Sequence, residues 1–425
     1  MKRYDLIHIH PSAMRTKPRY IYMPAGIFGM LNDVQANGYS VLAINEALEM
    51  LLDSSFSLAD CLEAYSAPIF TIDLHWHEHA YGAVSIARII KGVHPQSIVV
   101  VGGITASYYA IDLLRTCPEI DHIIVGFGEK KLVEILNLGK KIKSNKIQIS
   151  KEMPDIDADD HITRDWLLHS DKYDCTAIHG WMKGTTFWLK TGFGCPMNCG
   201  FCGGARSSQK LIFGNQFVIR RSPEDVAKDI VNLHHQGISR ISLTQDPSVA
   251  PHDYWQRMHR NIRSSRCKPG IYIEASGVPN VDFIKDFAKT FDLNNSIIAL
   301  SPICEDEKVR AKYGKAYSNL QLSLSIRLIE ASGIKYVLYF GRCLDMINKY
   351  SSTRNIKCKD SFWGGHSPLF TLDSDITLDP ASPMYIDPNK YDIQAELKTF
   401  DDYLKRTQLR SEHRTYYKLG YKAKS

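Results

Sequence analysis

Cysteine is scarce in this chain. Ten cysteines in 425 residues, irregularly spaced outside one loop, cannot make the disulfide framework of a small secreted fold. No secretory signal is read at the start, so a reducing, cytoplasmic setting is expected. Long apolar runs are missing as well: a stretch such as Ser-Ile-Val-Val-Val at 97–101 has strand length and falls far short of the roughly 20 residues that span a bilayer. No membrane partner is expected. Charge of one sign is also in short supply, with a net +6, concentrated in a tail where Lys405, Arg406, Arg410, Arg414, Lys418, Lys422 and Lys424 face Glu412. That tail reads as a solvated helix, with an anionic ligand as the alternative. Without further basic patches a nucleic-acid partner is not expected. A hydrophobic content of 44% argues against disorder, and the length exceeds the roughly 250–300 residues that one core fills, so two or three domains are expected.

What is present is a loop, Thr-Gly-Phe-Gly-Cys-Pro-Met-Asn-Cys-Gly-Phe-Cys-Gly-Gly, with Cys195, Cys199 and Cys202 in Cys-x3-Cys-x2-Cys spacing. An iron–sulfur cluster usually takes four cysteines, so three leave one iron open to another ligand. A zinc site would need a fourth partner, and His179, His234 and His235 show no paired spacing. The remaining cysteines (61, 117, 175, 267, 304, 343, 358) read as buried or half-buried thiols. No auxiliary-cluster spacing follows, so a single cluster is expected.

The loop, with Phe201 before its last cysteine, resembles the signature of the radical S-adenosylmethionine (SAM) enzymes, in which the open iron chelates SAM. Upstream, five short apolar strands (Tyr4–His10, Ser40–Asn45, Ile69–Leu74, Ser97–Gly102, Ile120–Gly126) alternate with helical stretches, the pattern of a doubly wound, flavodoxin-like α/β domain whose ligands sit at the carboxyl ends of the strands. Val-Gly-Gly-Ile-Thr-Ala-Ser follows the fourth strand and Val-Gly-Phe-Gly-Glu the fifth. Each alone is a weak signal. Together, upstream of the cysteine loop, they resemble the cobalamin-binding domain of the B12-dependent radical SAM enzymes, as does Ile-Asp-Leu-His-Trp-His-Glu-His-Ala-Tyr-Gly-Ala on the third strand. The resemblance covers Tyr4 to about Tyr417.

It implies a cobalamin-binding domain over 1–138, a linker over 139–186, a radical SAM partial (β/α)6 barrel over 187–350 and a small C-terminal cap over 351–425. It implies three cofactors: one 4Fe–4S cluster on Cys195, Cys199 and Cys202, SAM, and base-off cobalamin. Cobalamin is expected between the two domains at Gly102, Gly103, Thr105, Ser107, Gly126, Gly128 and Glu129, with His75 a candidate contact to cobalt. SAM is expected at Phe201 and at the strand ends Gln245, Asp246, Glu274, Ser276 and Ser301. Arg310 reads as a charge partner within its helix rather than a clamp. His366, Tyr385 and Asp387 are candidate substrate contacts.

One departure bears on the chemistry. B12 mutases carry Asp-x-His-x-x-Gly after the first strand, where this chain has His10-Pro11-Ser12-Ala13. Asp73-Leu74-His75 imitates the motif but has Glu78 in place of its glycine, so the lower cobalt ligand stays open. His75, His77 and His79 would share one face if extended, a possible metal site. The function implied is methylation of an unactivated carbon, or a phosphinate phosphorus, in a small-molecule or peptide substrate, with a flavodoxin- or ferredoxin-type electron donor. A non-methylating cobalamin-bound radical SAM enzyme and a non-catalytic corrinoid or iron–sulfur sensor are the alternatives.

Overall fold

The structure is a computed structural model, and it describes residues 1–13, 21–141, 145–173, 184–343, 365–391, 393 and 397–412. His179, Trp181, Cys175, Cys358, residues 362–364 and the basic residues from Arg414 onward lie outside these, as does the Cys343 side chain. Among the described residues, those up to 173 with 212–214 and 397–412 form one compact unit, and 184–211 with 215–393 form another.

The first unit is built on six parallel strands, Leu6–His10, Val41–Asn45, Ile69–Asp73, Ile98–Gly102, His122–Gly126 and Ile147–Ser150, in spatial order 2-1-3-4-5-6. Helices cover both faces, which is why Leu6–His10 and Ile69–Asp73 are buried along their whole length. Helix Ala80–Val93 crosses from the third strand to the fourth, and Glu129–Leu138 leads from the fifth toward the sixth. The order reverses between the first and third strands, which places the switch-point crevice at His10 and Asp73.

The sixth strand, Ile147–Ser150, lies within the segment read as a linker. Among the described residues it pairs only with His122–Gly126, and Ile149 is 62% exposed, as suits an edge strand flanked by lysines. Beyond it Trp166 is buried, stacking at a tilt on Phe28 with ring centroids 5.4 Å apart and donating its indole N–H to Asn32 Oδ1.

In the second unit six parallel strands, Thr186–Leu189, Arg240–Leu243, Ile271–Ala275, Ile297–Ile303, Lys335–Cys343 and Thr371–Ile376, pair each with the next in chain order. Helices Pro223–His235, His252–Ser264, Val281–Thr290 and Asn319–Ala331 alternate with them. Ser222 caps the first of these by accepting from Asp225 N, and Ser318 with Gln321 forms a capping box on the last. The run of parallel strands is that of a partial β/α barrel, whose site lies at the carboxyl ends. Its sixth strand, Thr371–Ile376, falls in the stretch read as a cap.

Candidate functional site

In the second unit the cysteine loop leaves the first barrel strand and is pinned from several sides. Gly192 and Phe193 pair antiparallel with Ile219 and Arg220. Gly194, at φ +78°, lies so close to Phe217 O that a Cβ would collide with it. Gly200 N donates to Tyr313 O at 3.0 Å, and Met384 N donates to Gly200 O at 2.8 Å. Asp379 accepts from Gly203 N at 2.8 Å while its own N–H donates to Phe201 O. Gln209 donates to the carbonyls of Cys195 and Gly204. The three cysteines are thereby held on one short, backbone-anchored turn.

Their environment suits a metal cluster. Burial pushes all three thiols up, Cys202 most strongly, so free thiolates are disfavoured there unless a cation shares the site. Gly204 N already points at Cys202 Sγ, 3.4 Å away, the kind of amide contact that tunes cluster sulfurs. Phe201 is partly buried against the cluster of Ile303, Tyr313, Leu378, Met384 and Ile393.

The strand ends expected to face SAM do different things. Gln245 turns its amide NH2 onto Phe193 O and Gly194 O, at 2.9 and 2.8 Å, so it clamps the cysteine loop, and among the described residues its buried Oε1 has no hydrogen-bond partner. Asp246 is buried and accepts from Ser248 N at 2.8 Å and Ser276 N at 2.7 Å. Burial raises its pKa against those bonds. Ser276 therefore contributes its amide to Asp246. Glu274 keeps an open face at the mouth, yet protein surrounds its carboxyl, and burial raises its pKa although the Tyr272 hydroxyl donates to it at 3.1 Å. Ser301 is half-buried beside a bulge, between Leu300 and Ile303, and Ile303 has φ +67°.

Lys315 was not singled out by the sequence. It is 5% exposed, and burial lowers its pKa while the Cys199 and Cys202 thiols and the Asp246 and Glu274 carboxyls pull it back up. Gly314, at φ +91°, brings its loop against Asn198 O and Cys199 Cα so closely that a Cβ would collide. The loop is held by Arg310, which is fully buried and donates to Cys304 O, Tyr317 O and Asn319 Oδ1 at 2.7 to 3.1 Å. Arg310 is thus a loop anchor and not a charge partner within its helix. Arg310→Met, leaving those buried acceptors unpaired, is expected to lower stability by about 3 kcal/mol or more, read as the midpoint of urea unfolding.

Three further candidates have structural partners. His366 bonds Glu330 through Nδ1 at 3.2 Å, Tyr385 packs against the Met384 cluster, and Asp387 accepts from Lys390 N.

In the first unit the glycine-rich turns stand at the carboxyl ends of strands four and five. Gly103, at φ +111°, has Leu74 and His75 backbone so near that a Cβ would sit 2.7 Å away, and at Gly126, φ +100°, it would strike Ser150 O. Both are required by the fold itself, so a bulky residue at Gly103 tests folding before it tests a ligand. Gly102 and Gly128 have more room, 3.9 Å to Ile124 and 3.2 Å to Met30 Sδ. Thr105 donates to His75 O at 3.0 Å, Ser107 Oγ accepts from Gly126 N, and Glu129 is buried at the start of its helix. His75 is half-buried, edge-on to Trp76 at 5.2 Å.

No family model matches the chain. Among solved structures, the radical SAM methyltransferase TsrM from Kitasatospora setae, with tryptophan substrate and a SAM analogue bound, superposes with a TM-score of 0.67 at 15% identity over 89% of this chain and 75% of that one. The cobalamin-dependent SAM radical enzyme OxsB, with aqua-cobalamin bound, gives 0.54 at 13% identity over 96% of this chain and 61% of that one. The chain has the fold of the cobalamin-dependent radical SAM enzymes. In sequence it is 30% identical over 182 residues, 39% of its length, to an uncharacterized methyltransferase of Pyrococcus horikoshii. It is 26% identical over 189 residues to the anaerobic magnesium-protoporphyrin IX monomethyl ester cyclase of Rubrivivax gelatinosus. It matches about a third of each of these relatives, 37% and 32%. The fold therefore agrees with the doubly wound domain and partial barrel expected from sequence. No described helix is long and apolar enough to cross a membrane.

Proposed function

We propose that the protein is a cobalamin-dependent radical SAM methyltransferase acting on an unactivated carbon, or a phosphinate phosphorus, of a small-molecule or peptide substrate. The observation that carries this reading is the presence, in one chain, of a half-buried three-cysteine turn at the carboxyl end of a partial barrel and of a 2-1-3-4-5-6 doubly wound sheet ending in glycine turns.

When bound, the cluster and SAM supply a one-electron route to a carbon radical, and cobalamin supplies a methyl carrier. The chain's own residues do the rest. Cys195, Cys199 and Cys202 hold the cluster, and Asp379, Gln209 and Gln245 fix the turn on which they stand. Lys315 offers a buried ammonium, beside Cys199, to a carboxylate such as that of SAM. Glu274, open at the mouth, is placed to accept from a ligand amine or hydroxyl. Gly102, at the end of its strand, and Gly128, at the cap of the helix that follows Gly126, would offer backbone to cobalamin. Electrons come from an external flavodoxin- or ferredoxin-type donor.

The test is to incubate the reduced, cobalamin-loaded protein with methyl-deuterated SAM and an extract of its source. S-adenosylhomocysteine, 5′-deoxyadenosine and a product heavier by the labelled methyl should accumulate together. Abundant 5′-deoxyadenosine without the other two would favour a non-methylating radical enzyme, and no SAM-derived product at all would favour a sensor.

A further inference from the structure

Leu6–His10 is buried along its whole length, yet carries two histidines on one face, and both meet the carboxylate of Asp73 on the neighbouring strand. His10 Nδ1 lies 2.9 and 3.1 Å from the two Asp73 oxygens, and His8 Nε2 lies 3.2 Å from Oδ1. His8 is oriented in turn by Thr71 Oγ1, 3.0 Å from its Nδ1. A third imidazole arrives from the turn after the third strand: His79, whose ring is edge-on to His10 at 4.9 Å and whose Nδ1 is buried without a hydrogen-bond partner among the described residues. One ligand atom each from His10, Asp73 and His79 lies within 4.8 Å of the other two, and the three residues are 1%, 6% and 8% exposed.

We propose that His10, Asp73 and His79 form a binding site for a single divalent transition-metal ion of the zinc type, separate from the cysteine turn. Two imidazole nitrogens and a carboxylate oxygen are a donor set of zinc sites, with metal–ligand distances of about 2.0–2.2 Å. The donor atoms stand within 4.8 Å of one another, wider than the roughly 3.4 Å between donors of a closed tetrahedral site, so binding must draw the three side chains together. A plain hydrogen-bond network accounts for Asp73 through His10, with His8 Nε2 only in ion-pair range, and among the described residues it leaves His79 Nδ1 unmatched. An ion supplies the missing partner. His8 then takes the outer position, holding the ligating carboxylate as metal-bound carboxylates are commonly held. The donors favour zinc, cobalt(II) or nickel over magnesium or calcium, which demand an all-oxygen shell.

The same burial excludes these groups as a ligand to cobalt in a corrin, since such a ligand must present its nitrogen outward to a flat ring. It also divides the triplet read from the sequence. Of His75, His77 and His79 only His79 joins the site, because residues 77–79 form a 3-10 turn and not an extended strand. The location is the switch point between the first and third strands, where doubly wound sheets place their ligands. The inference stands independently of methyl transfer.

Cluster-reconstituted protein is equilibrated with zinc chloride, passed over a chelating resin and analysed for metals. About one zinc per chain should remain beside the cluster iron. His79→Ala should lower retained zinc at least tenfold, and His79→Gln, which keeps volume and hydrogen-bonding capacity, should do the same with an unchanged circular dichroism spectrum. The Cys195→Ala/Cys199→Ala/Cys202→Ala protein should keep its zinc. A parent that retains less than a tenth of an equivalent, a folded His79 variant that retains a full one, or zinc that departs with the cysteines would each overturn the assignment.

Discussion

Cys199→Ala, purified without oxygen and reconstituted with iron and sulfide, is expected to hold almost no iron, against about four atoms per chain in the parent. The same loss is expected for Cys195→Ala and Cys202→Ala, because a three-thiolate site has no ligand to spare. The effect should be local. The turn owes its course to the bonds from Gly203 to Asp379, Gln209 to Cys195 O and Gly200 to Tyr313, none of which uses a thiol. The apo variants should therefore melt close to the apo parent. A Cys199→Ala protein that keeps its full cluster absorption and iron would remove the basis of the proposed chemistry.

Lys315→Met is expected to leave the iron content unchanged and to weaken SAM binding by about 10- to 150-fold, the range that corresponds to the loss of one charge-assisted hydrogen bond, about 1.5–3 kcal/mol. Methionine matches the length of the lysine stem and removes only the ammonium. Two electrostatic pulls act on that ammonium: desolvation disfavours its charge, while the nearby thiols and carboxyls favour it. An anionic ligand arriving in the mouth would add to the second pull. Equilibrium dialysis with labelled SAM gives the affinity, and iron analysis of the same sample separates this role from a purely structural one. Unchanged affinity with iron lost would mean that Lys315 serves the cluster thiolates alone.

How much of this was legible in the sequence follows from how local each signal is. The three cysteines stand within eight positions of one another, so their spacing was enough to single them out as candidate cluster ligands, and the buried parallel strands announced themselves as apolar runs. Gln245 was found at its strand end but its hold on the cysteine loop was not, because an amide at a strand end serves a ligand or a backbone equally well until the partner is placed. Lys315 carried no local signal. A lone lysine after a glycine looks solvated, and its burial depends on Arg310 drawing the loop inward through acceptors at 304, 317 and 319. Ile147–Ser150 was hidden by its polar neighbours, since an edge strand needs only one apolar face. The His10–Asp73 pair joins residues 63 apart, a distance that no motif bridges.

The first unit is not a continuous stretch of chain. Helix Phe400–Glu412 packs on helix Ala80–Val93, setting Phe400 and Tyr403 against Tyr109 and Tyr403 against His77, and Thr407 Oγ1 accepts from Tyr81 N. Phe400 and Tyr403 are 1% and 0% exposed. During synthesis, then, the unit that begins to emerge first must wait for the segment that emerges late, and until residues 400–412 have left the ribosome the aromatic seat around Tyr109 and His77 stays open. A fragment covering only 1–173 would carry that seat permanently uncovered, a sticky surface that would draw such fragments together. Independent expression of this unit calls for a permutation that joins the late helix to the early strands, not for a cut between them.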